Sequence, residues 1–344
     1  MIMNKTLFFH PRNDFSGSTR VLANIIETEY SDQKVEIITM NYSDGFLSYL
    51  PNVQIVPIRQ FSIKKYKIPI ITQLAWRINA IFLTWKYGKS YEIFYINTLL
   101  PWYAAIVGKW NHKKIIYHIH EKFVISSPEV KLAEYVFSHV RAKRIFVSRY
   151  VQSCYPTRKD SEEVVKYNTL PTSFLIAIQV IPLEKRKRNT ILMIASLSKS
   201  KGIFTFIEAA KRMPHLSFQL VLSASSNAIT HFIGNDVPVN MKWWPAQRDI
   251  HPFLQTSDVI LNLSIPALWI ETFGMTILEA MAYGLPAIVP NVGGPVEIVK
   301  SGYNGYCIDV TDVELVTQTI DRVLEKVEYE RLAANALECV KMFS

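Results

Sequence analysis

The sequence predicts an α/β protein made of two Rossmann-like, doubly wound domains. Three observations lead there. The chain has 344 residues, more than a single hydrophobic core usually spans. Hydrophobic residues make up 49% and charged residues 19%, the balance of a globular chain with a large core. Short β-rich runs alternate with helical patterns from end to end, which implies parallel sheets covered on both faces by helices.

In order along the chain, TLFFH (6–10), KVEIITM (34–40), VQIVPI (53–58), EIFYIN (92–97), KIIYHIH (114–120) and RIFVS (144–148) read as strands. Amphipathic stretches such as STRVLANIIETEY and SPEVKLAEYVFSHV lie between several of them and read as helices. The rhythm loosens over 151–190, where PTRKDSEE and PLEKRKRN are charged and contain proline, as a domain junction does. It resumes with TILMIAS (190–196), a helix from about Ile203 to Arg212, SFQLVLSA (217–224) and DVILNLS (258–264). A helix near 274–284, PAIVP (286–290) and two helices from about Asp312 complete the pattern. The expected domains are therefore 1–168 and 169–344. Doubly wound sheets bind ligands where strands end and helices begin, and two such domains face to face would form a cleft.

One stretch carries unusual charge. From Val259 to Val296 the only charged residues are Glu271 and Glu279. Ile277, Leu278, Met281 and Ala282 recur with helical spacing, Gly284 ends the helix and Pro286 follows. Glu271 would lie in the loop before this helix and Glu279 inside it. The amides of Gly274, Met275 and Thr276 would offer an anion site at the helix start, so the two carboxylates could hold opposite ends of one ligand. Alternatively, Glu271 is a plain acid near the helix cap and Glu279 a paired core residue.

The wider stretch, SIPALWIETFGMTILEAMAYGLPAIVPNVGGPVEIVKSGYNGY, closely resembles the donor-site segment of retaining glycosyltransferases of the GT-B fold. The particular resemblance is to glycosyltransferase family four, with its E-x7-E motif. It covers most of the second domain well and the first domain thinly. The resemblance implies that Glu271 reaches the hydroxyls of a donor sugar and Glu279 the ribose hydroxyls of its nucleotide. Backbone amides around Phe273 to Thr276 would hold the diphosphate, with Gly293, Gly294 and Glu297 near the rim. ASLSKSKGIFTFIEAA (195–210) resembles the family's G-R-L-x-x-x-K-G segment: Lys201 and Gly202 match, and Lys201 would neutralise the departing diphosphate. Ser196 stands at the family's arginine position and supplies neither its charge nor its fork. Lys199 is either a substitute cation or a solvated loop lysine. FFHPRNDFSGSTRVL resembles the family's Gly-rich turn with Gly17 and Ser18 in the donor-binding positions. His120, followed by Glu121 at a strand end, resembles the family's histidine facing the donor sugar, while His118 reads as a packed strand residue. The segment from Trp244 to Arg248 is expected either to border the base or, as for Trp243 and Trp244, to join the core. Members usually continue past the helix resembled by YERLAANALECVKMFS with one that crosses back to the first domain. That closing helix is expected to be missing here.

Other chemistries lack their signals. Cys154, Cys307 and Cys339 are far apart with no CxxC, which argues against a zinc site or a disulfide framework and fits a reducing compartment. No D-x-D, G-x-G-x-x-G after a strand, G-x-S-x-G or phosphate-binding G-x4-G-K-[ST] is present. A metal and a cofactor are not expected; the nucleotide sugar is a substrate. The opening MIMNKTLFFHPRND has no apolar signal-peptide core, and IPIITQLAWRINAIFLTW is interrupted by Gln73, Arg77 and Asn79, so no membrane span is expected.

The net charge of +9 is uneven: residues 1–180 carry 23 lysines and arginines against 13 acids, and Arg59 to Tyr150 carries 16 against 4. These cations are interleaved with Trp76, Trp85, Tyr87, Trp102, Tyr103 and Trp110. Such a surface either suits anionic lipid headgroups or another polyanion or is simply a soluble basic surface; no nucleic-acid motif accompanies it. The resulting expectation is a cytoplasmic, metal-independent retaining glycosyltransferase, peripheral on the inner membrane face. It would act on a glycan or lipid-linked glycan in cell-surface polysaccharide synthesis. A non-catalytic nucleotide-sugar-binding or partner subunit and a GT-B sugar-nucleotide epimerase remain as alternatives.

Overall fold

A computed structural model describes residues 5–40, 44–58, 69–123, 127–182, 185–234 and 236–343. Arg59, Lys64, Lys65 and Lys67, counted in the basic stretch, and Leu183 and Glu184 of the junction lie outside them. The chain divides into two compact units, Met1–Lys166 and Tyr167–Ser344.

The first unit runs β1 (Thr6–His10), α1 (Gly17–Glu29), β2 (Val35–Thr39), β3 (Val53–Pro57), α2 (Pro69–Gly88), β4 (Ile93–Asn97), α3 (Trp102–Trp110), β5 (Lys114–Ile119), α4 (Pro128–His139), β6 (Lys143–Phe146), α5 (Arg149–Ser153) and β7 (Glu162–Val165). Among the described residues its seven strands are all parallel in the order β3-β2-β1-β4-β5-β6-β7. The central strand β1 is buried along its whole length, as a parallel strand covered on both faces must be. Phe9 packs on Phe94 of β4 at 5.1 Å between ring centroids, and on Tyr103 of α3. β7 falls inside the stretch expected to be an irregular junction. It adds a seventh strand by pairing with β6, and the buried Arg144 of β6 holds it at the edge through a 3.1 Å ion pair with Glu163.

The second unit runs α6 (Thr172–Ile176), β8 (Thr190–Ala195), α7 (Ile203–Arg212), β9 (Ser217–Leu222), α8 (Ser226–Ile233), β10 (Met241–Trp244), α9 (His251–Thr256), β11 (Val259–Leu261), α10 (Met275–Met281), β12 (Ala287–Pro290), α11 (Pro295–Ile298), β13 (Gly305–Ile308), α12 (Val313–Leu324) and α13 (Lys326–Val340). Among the described residues its six parallel strands have the order β10-β9-β8-β11-β12-β13. One core joins Ile203, Phe206 and Ala210 of α7 to Phe218 and Leu220 of β9 and to Val316 and Ile320 of α12. α7 starts and ends at the residues its periodicity predicts. Asp312 caps α12 by accepting from the Leu315 amide at 3.1 Å.

In both sheets the strand order runs outward from a central strand and then reverses: between β1 and β4 in one unit, between β8 and β11 in the other. Doubly wound sheets bind their ligands at such reversal points, beside the carboxyl ends of the strands. Among the described residues no helix is long and apolar enough to cross a membrane.

Candidate active site

At the reversal point of the second unit, the loop after β8 meets the loop after β11. Lys199–Lys201 make one 3-10 turn, with the Ser198 hydroxyl accepting from the Ser200 amide at 3.2 Å. Gly202 follows at φ +73°, and a Cβ there would lie 2.1 Å from the Leu263 carbonyl oxygen, so only glycine lets the two loops touch. The Ile265 amide bonds the Ser200 carbonyl at 2.8 Å. This contact delivers Lys201 to Glu271, seventy residues away, with Nζ 2.7 Å from Oε2. The ammonium also lies 5.5 Å from the Trp269 ring centroid. Both charged side chains are mostly buried, at 18% and 19% exposure, so each is held in place rather than swept by solvent.

A second loop seats Glu271. After β12, the Gly294 amide donates to the Glu271 carbonyl at 2.8 Å. A Cβ on Gly293 would come within 2.4 Å of that carbonyl oxygen, and one on Gly294 within 2.0 Å of the Thr272 carbonyl oxygen. The two glycines are a surface shaped to the Glu271 backbone. Glu297, at the start of α11, accepts from the Tyr167 hydroxyl at 2.9 Å.

α10 begins at Met275, with Gly274 just before it, and ends at Met281, inside the expected 274–284. Its first intrahelical bonds come from the amides of Ile277 and Leu278 to the Gly274 carbonyl at 3.1 and 3.2 Å. The amides of Met275 and Thr276 therefore have no partner within the helix. Phe273 offers only its backbone, because its side chain is buried between the rings of Tyr167 and Phe343, each 6.1 Å away. Glu279 lies inside α10 with 0% exposure, so a ligand hydroxyl reaches its carboxylate only after that carboxylate is uncovered. Ser196 is exposed immediately after β8, and Lys199 is exposed in the turn beyond it. Trp243 packs on the core as expected, and Trp244 is half-buried with its ring 5.1 Å from Phe253.

The first unit has its own polar centre at its reversal point. Three neighbouring strands end there in His10, Asn97 and, just past β5, His120. Asn97 is fully buried and joins the two histidines. Its Nδ2 lies 3.2 Å from the Ser18 carbonyl, which can only accept, so the amide nitrogen is on the side of Ser18 and His10. Its Oδ1 therefore accepts from His120 Nε2 at 2.7 Å, which puts the imidazole proton on Nε2. On the other side Asn97 Nδ2 donates to His10 Nδ1 at 2.9 Å, shorter than the 3.3 Å from that nitrogen to the Asn97 carbonyl. The Thr19 hydroxyl gives its only proton to Asp14 at 2.7 Å, so His10 Nε2 donates to Thr19 at 3.0 Å. A one-way chain of hydrogen bonds thus runs His120 → Asn97 → His10 → Thr19 → Asp14.

Burial keeps the imidazoles neutral. It lowers His10 to about 4 and His118 to about 3, and holds His120 well below the usual histidine value, with His118 and His10 adding to that. His118 lies beside His120 at 4.3 Å between ring centroids and is hydrogen-bonded to the Tyr95 hydroxyl at 2.9 Å. Burial pushes the Glu121 carboxyl up to about 7, against the pull of the Leu99 and His120 amides. The turn between Asn97 and Leu99 is strained, with the β-branched Thr98 at φ +82°. Gly17 opens α1, and a Cβ there would meet nothing within 4 Å.

The structure thus brings Lys201, Glu271, Gly293 and Gly294 together in the second unit, and His120, Glu121 and the Ser18 backbone in the first. Sequence reasoning missed His10, Asn97, Thr19 and Asp14. The available signal was a polar residue closing an apolar run, at His10 of TLFFH and Asn97 of EIFYIN. Among the described residues no group of three histidine, cysteine or acidic side chains could hold a metal ion.

Two Rossmann-like units, each with its strand order reversing at a polar centre, define the fold class as GT-B. Solved structures agree over nearly the whole chain. Anabaena HepE, in a structure described as a complex with UDP-glucose, matches with a TM-score of 0.76 and 18% identity, covering 99% of this chain and 95% of that one. Sucrose-phosphate synthase from Thermosynechococcus elongatus matches with a TM-score of 0.72 and 15% identity, covering 98% and 94%. At these identities the likeness is one of fold. By sequence, residues 177–338 match the family model described as Glycosyl transferases group 1. Curated relatives match over shorter stretches. Sucrose synthase of Thermosynechococcus vestitus is 44% identical over 80 residues, 22% of this chain and 10% of that protein. GDP-mannose-dependent alpha-mannosyltransferase of Corynebacterium glutamicum is 35% identical over 89 residues, 26% of this chain and 22% of that protein. The chain thus spans only a small part of the curated relatives it matches.

Proposed function

We propose that the protein is a metal-independent, retaining glycosyltransferase of family four. It takes a sugar from a nucleotide diphosphate donor and gives it to a hydroxyl of a glycan or lipid-linked glycan in cell-surface polysaccharide synthesis. The observation that carries this reading is the 2.7 Å Lys201–Glu271 pair, built by two glycine-dependent loops at the reversal point of the unit that matches the Glycosyl transferases group 1 model. Glu271 carries acceptor oxygens suited to sugar hydroxyls, and the Lys201 ammonium beside it suits the charge that develops on a departing diphosphate. The Met275 and Thr276 amides add donors for the same phosphates. His120 would use the nitrogen not committed to Asn97 to accept from a sugar hydroxyl, and Glu279 would hold the ribose. The UDP and GDP-mannose named for the structural and sequence relatives favour a UDP- or GDP-sugar donor. The reaction would take place at the cytoplasmic face of a membrane.

The test is nucleotide binding. Glu279→Gln keeps the shape of a fully buried side chain and removes its charge, and Glu279→Ala removes the carboxylate altogether. Both are expected to weaken UDP or GDP binding by about tenfold or more, the effect of losing hydrogen bonds to a charged group. Calorimetric affinities equal to wild type in both variants contradict the ribose role. The exposed Ser196, where the family has an arginine, favours a second reading as a non-catalytic nucleotide-sugar-binding subunit. That reading wins if nucleotide binds and no sugar is transferred or hydrolysed across a panel of UDP-, GDP-, ADP- and CMP-sugars.

A further inference from the structure

We propose that the outer face of α2 is a docking surface that lies in the plane of an anionic lipid bilayer. This rests on the reading that transfer takes place at a membrane, and it names the surface that makes the contact. Through Trp76, Ala80, Thr84 and Gly88, spaced four apart, one side of α2 is buried. The Trp76 ring meets Tyr103 of α3 at 5.9 Å. The opposite side should be polar if water were its only neighbour. Instead it carries Leu74, Ile78, Phe82 and Trp85, which are 55%, 60%, 54% and 42% exposed. At 100° per residue these four fall within one stripe under a quarter-turn wide, a contiguous apolar surface of the kind that marks an interaction site.

Charge selects the occupant. From Leu74 to Lys114 the chain has six lysines and arginines and one acid, Glu92. Lys86, at the rim of the stripe, and Lys89, just past the end of the helix, follow it, and both are exposed. The Lys89 ammonium sits 3.7 Å from the Trp85 ring centroid, and Lys113 is anchored beside it by donating to the Lys89 and Tyr91 carbonyls at 3.2 and 2.6 Å. Lys109 and the 64% exposed Trp110 end the neighbouring α3. Apolar side chains flanked by tryptophans and lysines match the boundary between acyl chains and anionic headgroups. A second copy of the same face would bring no acid to Lys86 and Lys89, since Leu74 to Lys89 contains none, which disfavours self-association.

The test uses the whole protein with vesicles of phosphatidylcholine containing about 30% phosphatidylglycerol, a typical anionic surface. Wild type is expected to sediment with these vesicles at low salt and not with pure phosphatidylcholine. The double variant Phe82→Ser, Trp85→Ser is expected to bind about tenfold or more weakly, and Lys86→Glu, Lys89→Glu to lose the dependence on phosphatidylglycerol. All six residues of the stripe and its rim are exposed, so thermal melting should stay at the wild-type value. Wild-type binding that both double variants retain overturns the α2 assignment and leaves the membrane reading standing. Absence of wild-type binding overturns both. A dimer that Phe82→Ser, Trp85→Ser converts to monomer makes the stripe a self-association contact and overturns the proposal. Nucleotide binding is measured separately, so a failed donor reading and a failed docking surface stay distinguishable.

Discussion

Asn97 is a single amide that decides the state of two histidines. Its oxygen requires a proton on His120 Nε2, and its nitrogen requires a lone pair on His10 Nδ1. Asn97→Asp keeps the shape and puts a carboxylate in the same place. An opposite charge at hydrogen-bond distance favours the protonated imidazole, so the pKa values of His10 and His120 should rise from their burial-lowered positions. The expected outcome is an imidazole titration, followed by NMR, that moves toward neutral pH, with the acid limb of the transfer rate moving the same way. Asn97→Leu removes both bonds without adding charge. It should lower the transfer rate by about 10–100-fold, typical for losing the orientation of a site group, with nucleotide affinity intact. Titration of Asn97→Asp identical to wild type would sink the chain of hydrogen bonds as the device that sets His120.

Gly202 shows how much of the site depends on the contact of two loops. Its φ of +73° and the 2.1 Å approach of a Cβ to the Leu263 oxygen oppose any side chain. The obstacle is backbone, which cannot swing aside. Gly202→Ala should cost roughly 2 kcal/mol or more, from the left-handed conformation and the clash together. For a unit of this size that lowers the melting temperature by about 5 °C or more. Gly17→Ala is the control: its Cβ has open space, and the melting temperature should hold or rise slightly. If both variants melt alike, the loop contact does not hold the site. The same loops explain what the sequence made legible. Interior strands such as TLFFH and TILMIA were readable because burial on two faces demands an unbroken apolar run. β7, β10 and β13 were missed because each ends a sheet, is four residues long and mixes in charge, glycine or exposed positions. Glu271 stood out as one of two acids in an otherwise uncharged stretch and Lys201 through family resemblance, but their pairing was not legible, since nothing in a seventy-residue separation says that two loops meet. His10 and Asn97 carried no family signal, and their roles come from strand register alone.

At the scale of the molecule, the buried histidines make the first unit acid-sensitive. Unfolded, each imidazole takes up a proton near its ordinary value of 6.5; folded, His10 waits until about 4 and His118 until about 3. Between those values the unfolded chain binds more protons, so stability contributed above pH 6.5 drains away as the pH falls. At 1.36 kcal/mol per pKa unit, His10 alone accounts for roughly 3 kcal/mol of that loss. Glu121 acts in the other direction. Its folded value near 7 lies above its unfolded 4.5, so its contribution is complete below pH 4.5 and disappears as the pH rises through 7. Over the shared window the histidines outweigh it, three groups against one. The first unit should therefore melt at a lower temperature at pH 5 than at pH 7.5, read by amide hydrogen exchange of peptides from residues 5–165 so that the second unit does not mask it. Glu121→Gln isolates the opposing contribution. It should raise stability at pH 8, where it removes a buried charge, and change little at pH 5, where the carboxyl already carries its proton. A first unit equally protected at pH 5 and 7.5, or a Glu121→Gln gain that is the same at pH 5 and 8, contradicts neutral burial of these groups.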